Sequence, residues 1–488
     1  MDKSTRQTIG INKWIKANGV GTFDYIQRFG KTLTALKIVI KLNKQFPDDK
    51  AIVVVPNVGI KKVWHDEIEL YDYDFKNIEV YTITTVLNFD NPIECKLLII
   101  DEIHNYTSDK RLELIKGNII KARYRVGLTG TYPYNHIIIN QYYPVIDVIE
   151  EKEALENKWV APYIEYNIPL QLTMSDKLEY INYSSTISEV LYLFKGLHKL
   201  ILVREEPLFE NELQVVLGCY RGTTINNTFI KSKYIRDVVA SNMGWMYGLE
   251  LKDQYNKNIE KNWSPESIKK NARLFYIAMR ARNDIHNENT VKLKAVLDIY
   301  KRFKDNHFII FNESTLFADV ITESLNNRYP ASTMAYHSKI ESKPLFNFFT
   351  KEYFTTVKGS TKKYGKKKIL DYINEYFRHN IFNVISTVRA LDEGLNIENI
   401  NIIICTSGTA NPVQYSQRSA RGKTIDKYND NKRTIIINLY FDDFEAFDNN
   451  GINRLYKSRD RTKLLTRVKS NNVREINLHD LINYVKIS

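Results

Sequence analysis

The fold class follows from Leu97-Leu98-Ile99-Ile100-Asp101-Glu102, four apolar residues followed directly by two carboxylates. An apolar run without alternation predicts a strand covered on both faces, as in a parallel α/β sheet. Similar runs occupy residues 51–55, 80–83 and 125–128. The start of the chain is therefore expected to form an α/β domain built on a parallel sheet.

A second series of apolar runs lies in the last part of the chain. After a helical pattern at residues 293–300, strands are predicted at residues 307–311, 383–386, 400–405 and 434–439. Between the two series, the sequence changes to tyrosine-rich, charged segments with helical character. We therefore predict tandem parallel-sheet domains at 1–173 and 290–446, a helical insertion at 174–289 and a short basic C-terminal extension at 447–488.

The composition predicts a folded protein that binds polyanions. The 488 residues exceed one ordinary hydrophobic core, and 43% of them are hydrophobic. Lysine and arginine outnumber the acids by 70 to 57, a formal charge of +13 that favours nucleic acid as a partner. Ribosome-associated and membrane-surface proteins share such a charge, so basicity permits this interpretation without requiring it.

The remaining bulk features concern the compartment. No signal peptide or membrane-length apolar stretch is evident, which predicts a cytoplasmic protein. Cys95, Cys219 and Cys405 lie far apart, which favours buried thiols in a reducing compartment over metal ligands. The abundance of Lys, Asn, Ile and Tyr indicates an A/T-rich genome, such as that of a bacterium or a phage, whose protein would work in the host cytoplasm.

Phe29-Gly30-Lys31-Thr32 has the residues of a phosphate cradle at the start of a helical pattern. Arg28 replaces the first glycine of the usual Gly-x-Gly-Lys-Thr pattern, where it would narrow the loop or add a phosphate contact. Thr32 and Asp101 are the expected magnesium ligands. Glu102 is expected to orient or deprotonate the attacking water. Alone, the two carboxylates would indicate an exposed acidic turn.

The order of motifs resembles superfamily 2 helicases and translocases of the DExH kind. The motifs are Phe29-Gly30-Lys31-Thr32, Asp101-Glu102-Ile103-His104, Thr129-Gly130-Thr131, Asp392-Glu393-Gly394 and Gln417-Arg418-Ser419-Ala420-Arg421. The resemblance implies two RecA-like domains that hold ATP and Mg²⁺ in the cleft between them. Within the superfamily, the chain resembles phage helicases and Swi/Snf-type DNA translocases.

The resemblance also implies roles for individual residues. Gln7 would contact adenine, and His104 would couple the nucleotide site to Gln417 or to the motif at Thr129 and Thr131. Nucleotide-binding residues of the two halves would be Arg28, Phe29, Gly30, Lys31, Thr32, Asp101, Glu393 and Gly394. Gln417, Arg418 and Arg421 would act in catalysis, with Arg421 as the arginine finger and Arg418 as its companion.

Nucleic-acid contacts are expected from polar residues that follow strands. The candidates are Pro56, Asn57, Thr84, Thr85, Thr129, Thr131, Asn312, His337 and Thr387. Such residues suit sequence-independent phosphodiester contact, although they are also common turn formers. Residues 340–368 combine aromatic and lysine residues, which could stack on bases or form an apolar hairpin with a solvated lysine loop.

The sequence predicts an ATP hydrolase that moves on nucleic acid, DNA before RNA, in replication, recombination or repair. A monomer or weak oligomer is expected. The alternatives are an RNA helicase, the motor subunit of a restriction system, and a nucleic-acid clamp that does not hydrolyse ATP. No nuclease pattern stands out in the sequence, and the intact lysine, carboxylate and arginine motifs argue against the clamp.

Overall fold

The computed structural model describes residues 1–71, 75, 77–202, 265–337, 339, 343–344, 346–347, 352–353, 363–388, 400–407, 417–424, 432–441 and 473–486. Two compact units are distinguished. The larger unit holds Met1–Leu170 and the described residues from Lys294 to residue 441 and from 473 onward, including both main sheets. The smaller unit contains the helices between Gln171 and Leu293.

The first sheet has six strands, all of them parallel. They are β1 (Val20–Tyr25), β2 (Ala51–Val55), β3 (Ile78–Thr82), β4 (Ile93–Asp101), β5 (Ile120–Thr129) and β6 (Val145–Ile149). Their order across the sheet is β3-β2-β4-β5-β1-β6. This doubly wound order confirms the predicted parallel α/β domain.

Helices cover the first sheet on both faces. They are α1 (Lys3–Lys16), α2 (Lys31–Gln45), α3 (Val58–Leu70), α4 (Ile83–Val86), α5 (Asp109–Ile115), α6 (Ile137–Tyr142) and α7 (Glu151–Glu156). Alternate residues of β4 enter different cores, since Ile99 packs with Val53 on one face and Ile100 packs with Val54 on the other. Burial on both sides explains why the strand sequence is apolar without alternation.

The second main sheet is also entirely parallel. Its strands are β7 (Tyr163–Leu170), β8 (Phe308–Asn312), β9 (Thr333–Tyr336), β14 (Val384–Val388), β15 (Ile402–Cys405), β16 (Thr434–Phe441) and β17 (Val473–Glu475). The order is β17-β7-β16-β15-β8-β14-β9. The structure thus confirms two parallel-sheet domains in tandem.

One strand of the second sheet comes from an earlier part of the chain. β7 pairs with β16 over its whole length, from Tyr163 opposite Thr434 to Leu170 opposite Phe441. The sequence placed this strand before the predicted domain boundary at residue 173, yet by hydrogen bonding it belongs to the second sheet. Long-range pairing decides the membership, and a local apolar pattern carries no information about the partner.

The predicted helical insertion is represented by two long helices of the smaller unit, α8 (Met174–Leu202) and α9 (Pro265–Asn287). The ring of Tyr180 meets that of His286 edge-on, with centroids 5.3 Å apart. Further helices are α10 (Thr290–Phe303), α11 (Thr315–Arg328), α12 (Lys366–Arg378) and α13 (Leu478–Tyr484). No helix among these described segments is long and apolar enough to cross a membrane.

Short antiparallel pairs occur where the aromatic and lysine-rich insertion was predicted. β10 (Lys343–Pro344) pairs with β13 (Lys363–Tyr364), and β11 (Phe346–Asn347) pairs with β12 (Glu352–Tyr353). Most other residues of the insertion, and residues 447–472 of the basic C-terminal extension, lie outside the described residues. Their contribution to nucleic-acid binding stays a prediction.

Helix α1 is fixed to the first sheet by a buried carboxylate. Asp147, 3% exposed, accepts hydrogen bonds from Arg6 at 2.6 Å and Tyr25 at 2.7 Å, and from Lys13. Burial alone would raise the pKa of Asp147, but the three donors outweigh burial and lower it. The network holds α1 beside β1 and β6.

Replacing Asp147 with asparagine keeps the shape of the side chain and removes its charge. The buried Arg6 guanidinium then loses its closest charged partner, so we expect the free energy of unfolding to fall by about 3 kcal/mol. Chemical denaturation followed by tryptophan fluorescence measures the change. The matched control is Glu156→Ala, which removes an exposed ion pair with Lys152 and should cost at most about 0.5 kcal/mol. Equal denaturation midpoints for the two variants would show that the network does not anchor α1.

Candidate active site

Three neighbouring strands bring the predicted nucleotide-site residues to one edge of the first sheet. β4, β5 and β1 are adjacent and parallel, so their carboxyl ends lie together. The register places Asp101 opposite Leu128 of β5, and Asp24 of β1 opposite Thr129. Lys31 follows β1 after a short loop. Ligands of open parallel sheets bind at this edge.

The loop before α2 has a left-handed backbone at two positions. Gly30 precedes α2 with φ of 96°, and Arg28 has φ of 69°. Arg28 therefore keeps the turn that the usual glycine would adopt, at a cost of about 1–2 kcal/mol for its Cβ. Gly30 has no side chain that could cap α2. The N–H groups of the first helical turn are therefore available to an anion, which is the partner that a helix N-terminus favours.

The phosphate-loop lysine is buried beside a carboxylate. Lys31 is 8% exposed, and its Nζ lies 3.7 Å from Oε1 of Glu102. Among the described residues, Nζ has no hydrogen-bond partner. A buried ammonium without acceptors is costly, and the β- and γ-phosphate oxygens of a nucleotide would supply them. The loop therefore fits a nucleoside triphosphate.

Asp101 is held in place from two sides. Trp64 on α3 donates its indole N–H to Oδ2 at 2.8 Å, and the backbone N–H of Glu102 donates to Oδ1 at 2.9 Å. Burial, and then the negative charge of Glu102, raise the pKa of Asp101 to about 6. A divalent cation would favour the charged form again. Asp101 and Thr32 are the residues that would hold Mg²⁺.

The described residues contain no group of three or more His, Cys, Asp or Glu able to hold a metal ion by themselves. Mg²⁺ at phosphate-transfer sites is commonly held by one or two protein oxygens together with substrate phosphates and water. Asp101 and Thr32 match that ligand set, which fits a metal that arrives with the nucleotide.

Glu102 occupies a strained turn at the centre of the site. Its φ is 49°, in the left-handed region. Oε1 accepts a long hydrogen bond of 3.4 Å from Gln27, and Oε2 lies 3.4 Å from Nδ1 of His104. Strained backbone at a polar, buried position is common where side chains must be aimed at a reacting group. The carboxylate can orient a water molecule toward a phosphate held by Lys31.

His104 links this carboxylate to the end of β5. Its Nδ1 lies 2.9 Å from the hydroxyl oxygen of Thr129 and 3.2 Å from that of Thr131. Burial lowers the pKa of His104, although the charge of Glu102 acts in the opposite direction. Of the two partners that the sequence predicted for His104, the structure places the Thr129–Thr131 motif beside it.

Gln7 lies against the phosphate loop from α1. The side chain is 1% exposed, donates from Nε2 to the carbonyl oxygen of Gly30 at 3.2 Å, and accepts from Lys37 at 2.7 Å. The neighbouring Lys3 donates to the carbonyl oxygen of Arg28 at 2.9 Å. These contacts place Gln7 at the predicted site and occupy both ends of its amide. Adenine contact stays a prediction.

Sequence reasoning missed three residues of this site, Asp24, Gln27 and Trp64. Asp24 and Gln27 flank the end of β1, upstream of the lysine motif, and they belong to no recognisable motif of their own. Trp64 lies 37 residues before Asp101 in the middle of α3 and is fully buried. A tryptophan in an amphipathic helix predicts core packing, and no spacing rule connects it to a carboxylate after another strand.

The predicted arginine motif begins with a helical turn at residues 417–420. Arg418 is 1% exposed and donates to Glu313 at 2.9 Å, with its guanidinium over the ring of Phe311. Arg421 is also buried. Arg418 is thus engaged by its own domain, and the catalytic roles of Gln417, Arg418 and Arg421 stay predictions. Glu393 and Gly394 lie outside the described residues.

A basic residue just after the arginines connects the two sheet regions. Lys423 forms an ion pair with Glu151 on α7, and its Nζ lies 4.1 Å from the ring centroid of Tyr163. Its carbonyl oxygen accepts from the N–H of Ala161 at 2.9 Å. Leu155, four residues after Glu151, packs against the cores of both sheets. The segment between the sheets is therefore fastened to the arginine motif.

The predicted nucleic-acid residues divide into exposed and enclosed ones. Thr84 and Thr85 are exposed, whereas Thr129, Asn312, His337 and Thr387 are at most 2% exposed. The Asn312 amide donates to Ser386 and accepts from Thr406, and the Asn57 side chain caps α3. Thr131 bonds to His104, and Pro56 is half-buried. The enclosed side chains organise strand ends and offer little surface to a nucleic acid.

Comparison with known families agrees with this arrangement. Residues 6–134 match the family described as type III restriction enzyme, res subunit, and residues 291–426 match the helicase conserved C-terminal domain. Together the matches span slightly more than half of the chain and follow the order of the two sheets. The chain belongs to the superfamily 2 helicases. Comparison with curated protein sequences finds no match.

Solved structures share the fold at low sequence identity. Dbp5 of S. cerevisiae bound to RNA and ADP BeF3 is 10% identical with a TM-score of 0.51, and covers 97% of this chain and 90% of its own. The type ISP restriction-modification enzyme LlaBIII bound to DNA is 12% identical with a TM-score of 0.51, over 98% of this chain and 31% of its own. The helicase domain of Pyrococcus furiosus Hef is 13% identical with a TM-score of 0.47, and the match covers 93% of this chain and 97% of the Hef chain.

Replacing Trp64 with phenylalanine removes the donor to Asp101 and keeps an aromatic ring in the core. Loss of a residue that orients a metal ligand weakens metal binding, so the half-saturating Mg²⁺ concentration for ATP turnover should rise about tenfold. The measurement is a magnesium titration of steady-state turnover at fixed nucleotide.

Trp14→Phe is the matched control for this prediction. Trp14 is also buried and donates its indole N–H, but to the carbonyl oxygen of Arg125. Its magnesium dependence should stay within about twofold of wild type, because no metal ligand is affected. If both variants titrate like the wild type, the Trp64 hydrogen bond has no part in magnesium binding.

Proposed function

We propose that this superfamily 2 helicase is an ATP-driven motor that translocates on DNA. The observation that carries the proposal is the convergence of four side chains at one sheet edge, those of Lys31, Asp101, Glu102 and His104. The Lys31 ammonium group is buried there and has no hydrogen-bond acceptor among the described residues. These are the groups that phosphoryl transfer from a nucleoside triphosphate requires.

The chemistry assigns a task to each group. Lys31 and the first N–H groups of α2 bind the phosphate chain and stabilise negative charge that develops during transfer. Glu102 orients the attacking water and takes its proton as the water oxygen bonds to the γ-phosphorus and the bond to ADP breaks. Thr32 and Asp101 would hold Mg²⁺, which would neutralise negative charge on the phosphates. Arg421 is proposed as the arginine finger.

The motion is proposed to follow from the link between the two sheet regions. Lys423 joins the arginine motif to Glu151 beside the first sheet. The Thr129–Thr131 motif contacts His104, so the end of β5 is connected to the carboxylate that activates water. Nucleotide turnover can thereby alter the segments that follow the strands, such as α4, where Thr84 and Thr85 are exposed.

The +13 charge attracts any nucleic acid. DNA is proposed over RNA because of a family match. Residues 6–134 match a restriction-enzyme family, and the restriction enzyme LlaBIII was solved bound to DNA, whereas Dbp5 was solved bound to RNA. Replication, recombination or repair are the settings proposed for a DNA motor of this size, and a phage is the proposed origin.

A second candidate function is the motor subunit of a restriction system. The match of residues 6–134 to the res subunit favours it, and the chain spans 31% of the LlaBIII chain. Such a subunit would need a separate nuclease or methyltransferase partner. Affinity purification from the source cell followed by mass spectrometry separates the two functions, since a restriction partner would be present in near-equal amount.

Glu102→Gln provides the main test of the proposed hydrolysis. The variant keeps the size of the side chain and loses the base, so we expect turnover to fall by on the order of 10²–10⁴-fold while nucleotide binding persists. Turnover is measured with single-stranded DNA, duplex DNA and RNA, and binding with a fluorescent ATP analogue. Wild-type protein should be stimulated more by DNA than by RNA.

Glu113→Gln serves as the control, because Glu113 pairs with Lys116 on the surface of α5. It should turn over ATP like the wild type. Stimulation by RNA alone would favour an RNA helicase. A wild-type protein that binds nucleic acid and hydrolyses no ATP would replace the motor with the clamp.

A further inference from the structure

The loop between β5 and α6 carries an aromatic side chain that is exposed and yet fixed in position. Tyr134 is 59% exposed, and its hydroxyl donates to Oδ2 of Asp24 at 2.8 Å. Its ring meets the buried ring of Tyr132 edge-on, with centroids 5.1 Å apart. Asn140 donates to the carbonyl oxygen of Tyr134 at 2.6 Å. The hydroxyl of Tyr134 is thus held by Asp24, while more than half of the residue stays exposed.

The acceptor of this hydrogen bond belongs to the nucleotide site. Asp24 lies near the end of β1, opposite Thr129. Burial raises the pKa of Asp24, and the charges of Lys31 and Glu102 both act on its carboxyl group. A change of charge around Lys31 and Glu102, as when a triphosphate binds, is therefore felt at the carboxylate that holds Tyr134.

The same loop starts close to the phosphate-binding lysine. A methyl group placed on Gly130 would lie 3.3 Å from Nζ of Lys31 and 3.0 Å from the carbonyl oxygen of Tyr25. The next residue of the loop contacts His104, since the hydroxyl oxygen of Thr131 lies 3.2 Å from Nδ1 of His104. The Tyr134–Asp24 hydrogen bond is thus a second connection between loop and active site, separate from the His104 connection.

The exposed side of this loop lies at the sheet edge where other exposed residues follow strands. Ile137, at the start of α6, is 81% exposed, and Val58, after β2, is 73% exposed. Thr84 and Thr85 follow β3 and are exposed as well. An exposed aromatic ring that a hydrogen bond holds in position suits stacking of an unpaired base, which tolerates any sequence. The net charge of the protein favours a polyanion as the occupant.

We propose that Tyr134 couples nucleic-acid binding to ATP turnover. A base of a single strand stacks on the ring, and the hydroxyl carries the resulting displacement to Asp24 and through it to the charges at Lys31 and Glu102. Tyr134 is a positioning residue, since it acts through Asp24. The inference rests on the proposed function and adds the residue through which the strand affects hydrolysis.

Two substitutions separate the ring from the hydroxyl. Tyr134→Phe keeps the stacking surface and removes the hydrogen bond to Asp24, so single-stranded DNA should bind within about twofold of wild type. The ratio of ATP turnover with saturating DNA to turnover without DNA should fall at least about fivefold. Tyr134→Leu removes the ring, and the Kd for DNA should rise by about tenfold, the effect of losing one stacked base.

A binding measurement tests the coupling without turnover. Coupling between two sites is reciprocal, so a non-hydrolysable ATP analogue should change the Kd of wild-type protein for labelled single-stranded DNA, measured by fluorescence anisotropy. In Tyr134→Phe this change should shrink by at least about fivefold. Tyr484→Phe and Tyr484→Leu are the controls, because Tyr484 is 73% exposed on α13, and both should behave like the wild type.

Each outcome bears on a different part of the inference. Full stimulation and a full analogue effect in Tyr134→Phe would overturn the coupling, and an unchanged Kd in Tyr134→Leu would overturn the stacking. If the phenylalanine variant folds poorly, Asp24→Ala removes the acceptor of the same hydrogen bond and should lower the stimulation ratio. A wild-type protein that binds no nucleic acid overturns the proposed function and the coupling together, whereas normal wild-type stimulation confines a failure to Tyr134.

Discussion

The candidate active site depends on three parallel strands, β4, β5 and β1, lying side by side. Because they run the same way, their last residues meet at one edge, and groups from distant parts of the chain come within a few ångströms. As one result, Nζ of Lys31 lies 3.7 Å from Oε1 of Glu102. Shifting the register of β4 by one residue would turn Asp101 to the other face of the sheet, and reversing the strand would move it to the opposite edge.

The backbone around this edge is under local strain that the surrounding cores can hold. Arg28, Gly30 and Glu102 all have left-handed φ values. Such conformations persist when the packing on either side determines them, and both faces of the first sheet are closely packed. The site is thus aimed by structure that is already in place before a substrate binds, which reduces the reorganisation needed during phosphoryl transfer.

Connections from the site reach outward through single hydrogen bonds. Trp64 holds Asp101 from α3, and His104 joins Glu102 to the threonines after β5. Near the second sheet, Lys423 links the arginine motif to the first domain through its ion pair with Glu151 on α7. A motor needs elements that respond together to nucleotide state, and these few polar bridges between rigid layers are suited to that role.

The sequence by itself determined the strands that are apolar throughout, such as β2, β4 and β8, and the two-domain α/β plan, but it did not predict β1, β6 or β9. It also predicted the groups of the nucleotide site, because strand burial and the Gly-Lys-Thr and Asp-Glu motifs are local patterns. It also identified the Thr129–Thr131 motif as one of two partners for His104. Only the tertiary structure decided that β7 joins the second sheet, that Trp64 and Asp24 serve the site, and that Asn312 and Thr387 are enclosed. These facts depend on which segments pair and pack across long separations, and a residue's own neighbours in sequence do not specify its partners in space.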